Sequence, residues 1–212
     1  MMKIVNSFIF ALSLALAPFS FAAGDADAGK SKSTTCAACH GADGNSPAPT
    51  FPKLAGLGEK YLFKQMQDVK AGARKIPEMT GMLDNLSDQD LADIAAYYSA
   101  QQRQLSGAKD VKLDLGEKIY RAGNLETGVP ACTGCHAPSG NGNAPAGYPA
   151  IGGQFSAYIA KQLRAFRTAA HDPEDPTGRA NDGDIAVMRG VAARMTDQEI
   201  DAVANFIAGL QQ

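Results

Sequence analysis

Cys36-Ala-Ala-Cys-His40 and Cys132-Thr-Gly-Cys-His136 contain all four cysteines of this 212-residue chain. C-x-x-C-H is the pattern of covalent haem attachment, because two thiols three positions apart can each add to one vinyl group of the same porphyrin. The histidine that follows then lies beneath the ring, where its imidazole binds the iron. The motifs therefore predict two covalently bound haem c groups, attached through Cys36, Cys39, Cys132 and Cys135, with His40 and His136 as iron ligands.

Paired cysteines have three other common uses in proteins. Two C-x-x-C pairs can bind one zinc ion, but zinc binding does not explain a histidine directly after each pair. A thioredoxin-type dithiol lies at a strand–helix junction, and no β-α-β pattern surrounds these motifs. Structural disulfides of an exported protein are the third alternative. Two complete motifs with no spare cysteine favour haem attachment over all three.

The first 22 residues have the features of a secretory signal peptide. Lys3 supplies a positive charge, residues 4–17 are mostly apolar, and the small residues of Ser20-Phe-Ala22 predict cleavage directly after them. An uncleaved membrane anchor is the alternative, since the uncharged stretch is long enough to span a bilayer. Export fits the haem motifs, because bacteria attach c-type haem outside the cytoplasm. We therefore expect the mature protein in the periplasm.

The charge pattern indicates no nucleic-acid partner. The whole chain has a formal net charge of −2, and its 20 Lys and Arg residues are spread among 22 Asp and Glu residues. A nucleic-acid site needs clustered Lys and Arg, and the sequence has no basic tract. The same balance gives no support for binding to an anionic membrane surface.

The two motifs are the anchors of an internal repeat. The distance between matching residues grows from 96 at the motifs to 109 near the end of the chain. The repeat predicts two domains, residues 23–104 and 114–212, joined by a linker at 105–113. The matching stretches are Pro52-Lys-Leu-Ala-Gly56 with Pro149-Ala-Ile-Gly-Gly153, Tyr61-Leu-Phe-Lys-Gln65 with Tyr158-Ile-Ala-Lys-Gln162, and Leu86-Ser-Asp88 with Met195-Thr-Asp197.

The repeat also selects the sixth iron ligands. A thioether sulfur is the usual partner of His in electron-transfer haems, whereas most methionines fill gaps in cores. Counting back seven residues from Leu86 gives Met79, and the same step from Met195 gives Met188. These two are the only equivalent methionines downstream of the haem motifs, so they are predicted to bind the irons. Met82 is the main rival in the first half.

Two further predictions concern histidines. Pro52 and Pro149 each follow a motif by a short loop, and a prolyl carbonyl is well suited to accept the proton on the second nitrogen of the proximal imidazole. A plain turn proline is equally compatible with the sequence. His171 is the only histidine outside the motifs, has no counterpart in the first copy, and is expected in a solvated loop.

Helical periodicity dominates both halves, and strand-type alternation is absent. The last helix of each half begins at a predicted capping box, formed by Ser87 with Asp90 and by Thr196 with Glu199. The predicted fold class is all-α, with two tandem helical domains that each wrap around one haem. The earlier helices are predicted at 25–39, 59–71, 113–123 and 155–169.

Several stretches resemble the cytochrome c4 family over nearly the whole mature chain. The resemblance implies two cytochrome c-type domains that carry electrons in the periplasm, with a respiratory donor, a terminal oxidase as acceptor, and loose membrane association. The chain departs from the family in an insertion at 171–178 and in a short segment before Met79. The matching stretches are Phe51-Pro-Lys-Leu-Ala-Gly56, Met79-Thr-Gly-Met82, Leu86-Ser-Asp-Gln-Asp90, Ala95-Ala-Tyr-Tyr98, Pro130-Ala-Cys-Thr-Gly-Cys-His136 and Asn181-Asp-Gly-Asp184.

Closed coordination at both irons predicts an electron carrier. His and Met ligands leave no position for a small-molecule substrate at iron, so the chain is not expected to be an enzyme. A dihaem peroxidase needs a haem that opens its sixth position and acid–base residues above it, and the sequence offers no clear candidates for them. A dihaem subunit of a larger oxidoreductase is the other alternative, because it would have the same haem chemistry.

Overall fold

The computed structural model describes residues 23–211, which consist of helices and loops with two isolated β-bridges. The all-α prediction is confirmed, and no helix in this range is long and apolar enough to cross a membrane. The predicted signal peptide, residues 1–22, lies outside the described residues. In chain order the helices are α1 Ala26–Lys32, α2 Thr34–His40, α3 Glu59–Lys70, α4 Asp88–Ser99, α5 Leu113–Ala122, α6 Thr133–His136, α7 Ser156–His171, α8 Val187–Ala192 and α9 Asp197–Gly209, with a 3-10 turn at Pro77–Met79.

The first predicted helix, over 25–39, is interrupted and forms α1 and α2. The interruption is at Ser33, whose Oγ donates a hydrogen bond to the Lys30 carbonyl at 2.9 Å. Serine side chains that bond to nearby backbone groups compete with helix continuation. Hydrophobic periodicity does not reveal such a local competition, so the sequence predicted one helix.

His171 is the last residue of α7, and the prediction that it lies in a loop was wrong. The helix continues two residues past its predicted end at 169. The imidazole is exposed, as expected, and its Nε2 lies 3.0 Å from the Ala193 carbonyl oxygen beyond α8. This contact between α7 and the end of α8 gives the side chain a structural role.

Each half packs its first helix across its last helix. α1 contacts α4 in the first half and α5 contacts α9 in the second, while α3 packs on α4 and α7 on α9. A Cβ atom at Gly29 would lie 2.0 Å from the Asp93 carbonyl oxygen, and one at Gly116 would lie 2.3 Å from that of Ala202. Glycine is therefore required at both crossings. The apolar stripes of α4 and α9 are buried through Leu91, Ile94, Ala95, Tyr98, Ile200, Val203 and Ile207.

Both predicted capping boxes are present. Ser87 Oγ accepts from the Asp90 N–H at 3.2 Å, and the Asp90 carboxylate accepts from the Ser87 N–H at 2.8 Å. Thr196 and Glu199 repeat the two bonds at 3.2 and 2.8 Å. Each box satisfies two backbone N–H groups that a helix start leaves unpaired. The starts of α4 and α9 are thus encoded locally.

Asp93 of α4 connects α1 to α4 through its carboxylate. It is 3% exposed and accepts hydrogen bonds from Lys32 Nζ at 2.5 Å and from the Asp25 backbone N–H at 2.9 Å. These bonds hold the pKa of Asp93 below its ordinary value, and the bond from Lys32 has the largest effect. Because the pKa is lower in the folded state, this contribution to stability is complete above about pH 5 and is lost as the pH falls below about 4.

We expect Asp93→Asn to lower the free energy of unfolding at pH 7 by about 1–3 kcal/mol, because charged hydrogen bonds are lost. In this variant the free energy of unfolding should fall less steeply between about pH 5 and pH 2 than it does in the parent protein. Urea denaturation of the haem-loaded protein at a series of pH values measures both effects. Asp84→Asn, which neutralises an exposed carboxylate of the same half, should leave the pH curve unchanged. An equally steep curve in Asp93→Asn would contradict this role of the carboxylate.

Candidate haem sites

The first C-x-x-C-H motif lies at the end of α2. Cys36 is half-buried and Cys39 is exposed, and because Cys39 comes three residues after Cys36 both thiols lie on the same side of the helix. His40 is the last residue of the helix and is 8% exposed. Gly41 then leaves the helix with a φ of 80°, which favours glycine. The helix end thus presents two thiols and an imidazole in sequence.

The second motif has the same order of groups on a shorter helix. Cys132 directly precedes α6, which contains Cys135 and ends at His136. Ala137 follows with a φ of 63°, in the region where the first half has Gly41. A non-glycine residue in this conformation is strained, and such strain persists only where surrounding structure enforces it. The second motif therefore has the same order of groups as the first, but its backbone is strained at Ala137.

A prolyl carbonyl orients each buried imidazole. His40 Nδ1 lies 2.9 Å from the Pro52 carbonyl oxygen, and His136 Nδ1 lies 3.0 Å from that of Pro149. A carbonyl only accepts hydrogen bonds, so each Nδ1 carries the proton and each Nε2 keeps its lone pair. Burial lowers the pKa of both imidazoles, which favours the neutral form that binds metals. The prolines thus have the role that the sequence left open.

A cavity of about 620 Å³ lies beside the first motif. Cys36, Cys39 and His40 contribute to its wall, and so do Met79 and Met82. A porphyrin needs a largely apolar wall with a few groups that bind its iron and its substituents. The apolar part of the wall includes Leu54, Leu57, Leu62, Leu83, Leu86 and Ile94.

In the second half, one motif cysteine and the predicted methionine ligand pack against the same apolar cluster. Cys132 and Met188 both pack against a set of buried side chains that includes Ile119, Tyr120 and Leu163. Met188 lies in the first turn of α8, and α8 packs on α7. The repeat in the sequence thus has a counterpart in space: Met79 lines the same cavity as Cys36 and Cys39, and Met188 packs against the same cluster as Cys132.

A buried cationic cluster lies between the two halves, beside the first cavity. Arg74 donates to Gln65 Oε1 at 2.9 Å and to Gln162 Oε1 at 3.1 Å. Arg179 donates to the same two oxygens at 2.9 and 2.7 Å, and to Tyr61 Oη at 3.3 Å. All these acceptors are neutral amides or hydroxyls. The two guanidinium groups therefore share neutral hydrogen-bond acceptors, and the Asp68 carboxylate is a nearby negative charge that favours the charged form of Arg74.

This cluster fits the carboxylates of a haem. Burial raises the pKa of the Tyr61 hydroxyl, but the positive charges of Arg179 and Arg74 lower it overall. Anionic groups are stabilised where buried guanidinium donors have only neutral partners. Arg74 and Arg179 would thus hold the haem propionates of the first site. The sequence signal was the repeated Tyr–Gln pair of α3 and α7, but the two arginines do not occupy matching positions.

The insertion at 171–178 adjoins the first cavity, although it belongs to the second half. Residues 173–180 line that cavity together with the end of α2. From the sequence, the insertion was notable only for preceding Met188. Its position shows that a segment of the second half forms part of the wall of the first cavity. A repeat considered one half at a time does not predict this contribution.

Neither the zinc nor the disulfide alternative has support in the structure. The four cysteines are all free of disulfides. Within residues 23–211, no group of three or more His, Cys, Asp or Glu side chains is placed to hold a metal ion. The motifs instead lie at two separate helix ends, each with its own histidine.

Comparisons with known proteins show which family this chain resembles over most of its length. The cytochrome c family model matches residues 26–100 and 113–211. Cytochrome c4 of Stutzerimonas stutzeri is 53% identical over 208 residues, which cover 94% of this chain and 95% of that protein. The crystal structure of reduced recombinant cytochrome c4 from Pseudomonas stutzeri superposes with a TM-score of 0.83 at 55% identity, covering 89% of this chain and all of that one.

A second group of relatives consists of thiosulfate dehydrogenase electron acceptors. The thiosulfate dehydrogenase electron acceptor of Thiomonas intermedia is 37% identical over 199 residues, which cover 91% of this chain and 83% of that protein. Both groups of relatives are consistent with two haem domains and a redox protein as partner. The chain belongs to the cytochrome c4 family, and it is a dihaem electron-transfer protein, not an enzyme, with two covalently bound haem c groups.

Proposed function

We propose that the chain is a periplasmic electron carrier that delivers electrons from a respiratory donor to a terminal oxidase. In this proposal residues 1–22 are removed as a signal peptide, and residues 23–104 and 114–212 form the two haem domains on either side of the linker at 105–113. His40 and Met79 bind one iron, and His136 and Met188 bind the other. The thioethers of Cys36, Cys39, Cys132 and Cys135 attach the two haems.

The observation that carries this proposal is the orientation of both proximal imidazoles. The Pro52 and Pro149 carbonyls accept from Nδ1 in the two halves, so His40 and His136 each direct a free Nε2 lone pair away from the loop. Such a partner raises the basicity of a metal-binding imidazole and fixes its tautomer. Haem c, once bound, supplies one-electron redox chemistry at iron. The protein keeps each ligand in place, so little rearrangement accompanies that chemistry.

Exposure favours Met79 over its rival as the first thioether ligand. Met79 ends the 3-10 turn and is half-buried, whereas Met82 is 48% exposed. Both side chains line the cavity, so contact with it does not separate them. A ligand to iron must be shielded from water by the ring it binds, and the half-buried position fits that requirement better.

An electron-acceptor subunit of a sulfur-oxidising enzyme is the second candidate function. It is favoured by the 37% identity to a thiosulfate dehydrogenase electron acceptor over most of both chains. The haem sites would be the same in both roles, and only the donor would differ. The identity to cytochrome c4 proteins is higher, and for this reason we place the respiratory role first.

Electron exchange with two partners distinguishes these roles. The haem-loaded protein, produced in a host that attaches c-type haem, is reduced and mixed with membranes that contain a terminal oxidase. We expect rapid oxidation of both haems that an oxidase inhibitor blocks. In a second experiment the oxidised protein is mixed with thiosulfate and a thiosulfate dehydrogenase. Reduction there, together with no oxidation by the membranes, would overturn the respiratory proposal in favour of the second role.

Asp182 stabilises the segment that presents Met188. Its side chain is 5% exposed and accepts from the Arg189 backbone N–H at 2.8 Å and from Arg189 Nε at 2.7 Å. We expect Asp182→Asn to weaken Met188 ligation about tenfold, as the loss of a charged hydrogen bond to Arg189 implies. The near-infrared sulfur-to-iron absorption of the second haem, followed as a competing ligand such as imidazole is added, measures this effect.

Asp184→Asn is the matched control for Asp182→Asn. Asp184 lies in the same segment and is exposed, so its neutralisation should leave the imidazole titration unchanged. A similar change in both variants would mean that the net charge of the segment, and not the bonds of Asp182, governs Met188.

A further inference from the structure

Arg103 is a buried cation in the segment between α4 and α5. It is 4% exposed, its Nε donates to the Ala55 carbonyl at 2.8 Å, and its Nη1 donates to the carbonyls of Ala150 and Gly152 at 2.8 and 2.9 Å. Burial lowers its pKa to about 10, so the group stays charged at neutral pH. Ala55 belongs to the first half and the other two acceptors belong to the second. A single guanidinium group thus joins the two halves.

Lys53 and Gln154 make a second connection beside it. The Lys53 backbone N–H donates to Gln154 Oε1 at 3.0 Å, and Gln154 Nε2 donates to the Lys53 carbonyl at 2.9 Å. Lys53 Nζ also donates to the carbonyls of Gln104 and Gly153. Lys53 and Gln154 are 4% and 2% exposed. We call Arg103, Lys53 and Gln154 together the proximal clamp.

The proximal clamp is directly attached to both loops that orient the imidazoles. Lys53 follows Pro52, and Ala150 follows Pro149. The Pro52 carbonyl accepts from His40 Nδ1, and the Pro149 carbonyl accepts from His136 Nδ1. A shift of the clamp would therefore move both acceptors, directly through Lys53 in the first half and through Ala150 in the second.

We propose that the proximal clamp is a positioning device that couples the iron-binding histidines of the two domains and places positive charge near both haem sites. This proposal rests on the proposed haem ligation but not on the identity of the redox partners. Two consequences follow. The clamp holds the two prolyl carbonyls at hydrogen-bond distance, which sets the basicity of both imidazoles. Its two buried cations also disfavour the more positive, oxidised state of both irons.

The test separates charge from geometry with two substitutions of Arg103. Arg103→Met removes the charge and all donors, and Arg103→Lys keeps the charge but cannot reproduce the forked bonds to both halves. Two readouts are used on the haem-loaded protein: the reduction potentials of both haems, and the solvent exchange of the imidazole Nδ1 protons by NMR. Arg121→Met is the control, since Arg121 pairs with Glu117 on the exposed face of α5.

We expect Arg103→Met to lower both reduction potentials and to speed exchange of both Nδ1 protons about tenfold. Arg103→Lys should speed exchange in both halves while changing the potentials less. Arg121→Met should change neither readout. Changes confined to one haem, or no difference between Arg103→Met and Arg121→Met, would overturn the coupling.

If Arg103→Met does not fold, Arg103→Lys and Gln154→Met test the proposal. Gln154→Met should speed solvent exchange of the His40 Nδ1 proton, although it removes no charge. Unchanged exchange in both would overturn the proposal. If the parent protein transfers electrons to or from neither partner, the proposed function is wrong. The proton-exchange measurements still test the proximal clamp in that case.

Discussion

Met79→His should lower the reduction potential of the first haem by on the order of 0.1 V or more and leave the second haem nearly unchanged, given the range of about 0.8 V over which axial ligands set haem potentials. A thioether stabilises the reduced iron, whereas a second imidazole favours the oxidised iron. Histidine keeps the iron six-coordinate, so the change reports the ligand and not an open position. Potentiometric titration followed at two wavelengths, or by NMR of each haem, measures the two potentials.

Met82→Leu is the matched control for this substitution. Met82 lines the same cavity and is 48% exposed, so leucine should leave the first potential and its near-infrared sulfur-to-iron absorption intact. Loss of that absorption in Met82→Leu, with its retention in Met79→His, would transfer the ligand role to Met82.

The parts of this protein that follow local rules were predictable from the sequence. The C-x-x-C-H motifs gave the positions of the thiols and imidazoles, and the Ser87 and Thr196 boxes gave the starts of α4 and α9. For Pro52, the sequence left an acceptor role and a plain turn proline as equal alternatives, and the contact with His40 Nδ1 supports the acceptor role. In each case the partners are within about a dozen residues, and the repeat supplied a second copy as a check.

Contacts between the halves were not predictable in this way. Arg74 and Arg179 share the side chains of α3 and α7, and Arg103 joins two loops about a hundred residues apart. Their positions depend on how two domains pack, and hydrophobic periodicity has no information about that packing. The break at Ser33 was missed for a different reason: one side-chain hydrogen bond outweighed a continuous helical pattern.

Gly29→Ala and Gly116→Ala should each destabilise one half of the protein by about 3 kcal/mol, at the upper end of the usual cost of overpacking. At Gly29 the new methyl would lie 2.0 Å from the Asp93 carbonyl oxygen, and at Gly116 it would lie 2.3 Å from that of Ala202. These contacts are with backbone, which cannot rotate away as a side chain can. The helices α1 and α5 must therefore separate from α4 and α9.

Gly190→Ala provides the comparison that isolates this steric cause. Gly190 lies within α8, and a Cβ atom there has no neighbour within 4 Å. Alanine is favoured over glycine in a helix by up to about 1 kcal/mol, so this variant should be as stable as the parent or more so. Urea denaturation followed by haem absorbance gives the free energies. Because the two crossings lie in different domains, Gly29→Ala should release the first haem site at lower urea and Gly116→Ala the second. If either variant lost both haem absorbance signals at the same urea concentration, the two halves would unfold as one unit, stabilised by the contacts between them.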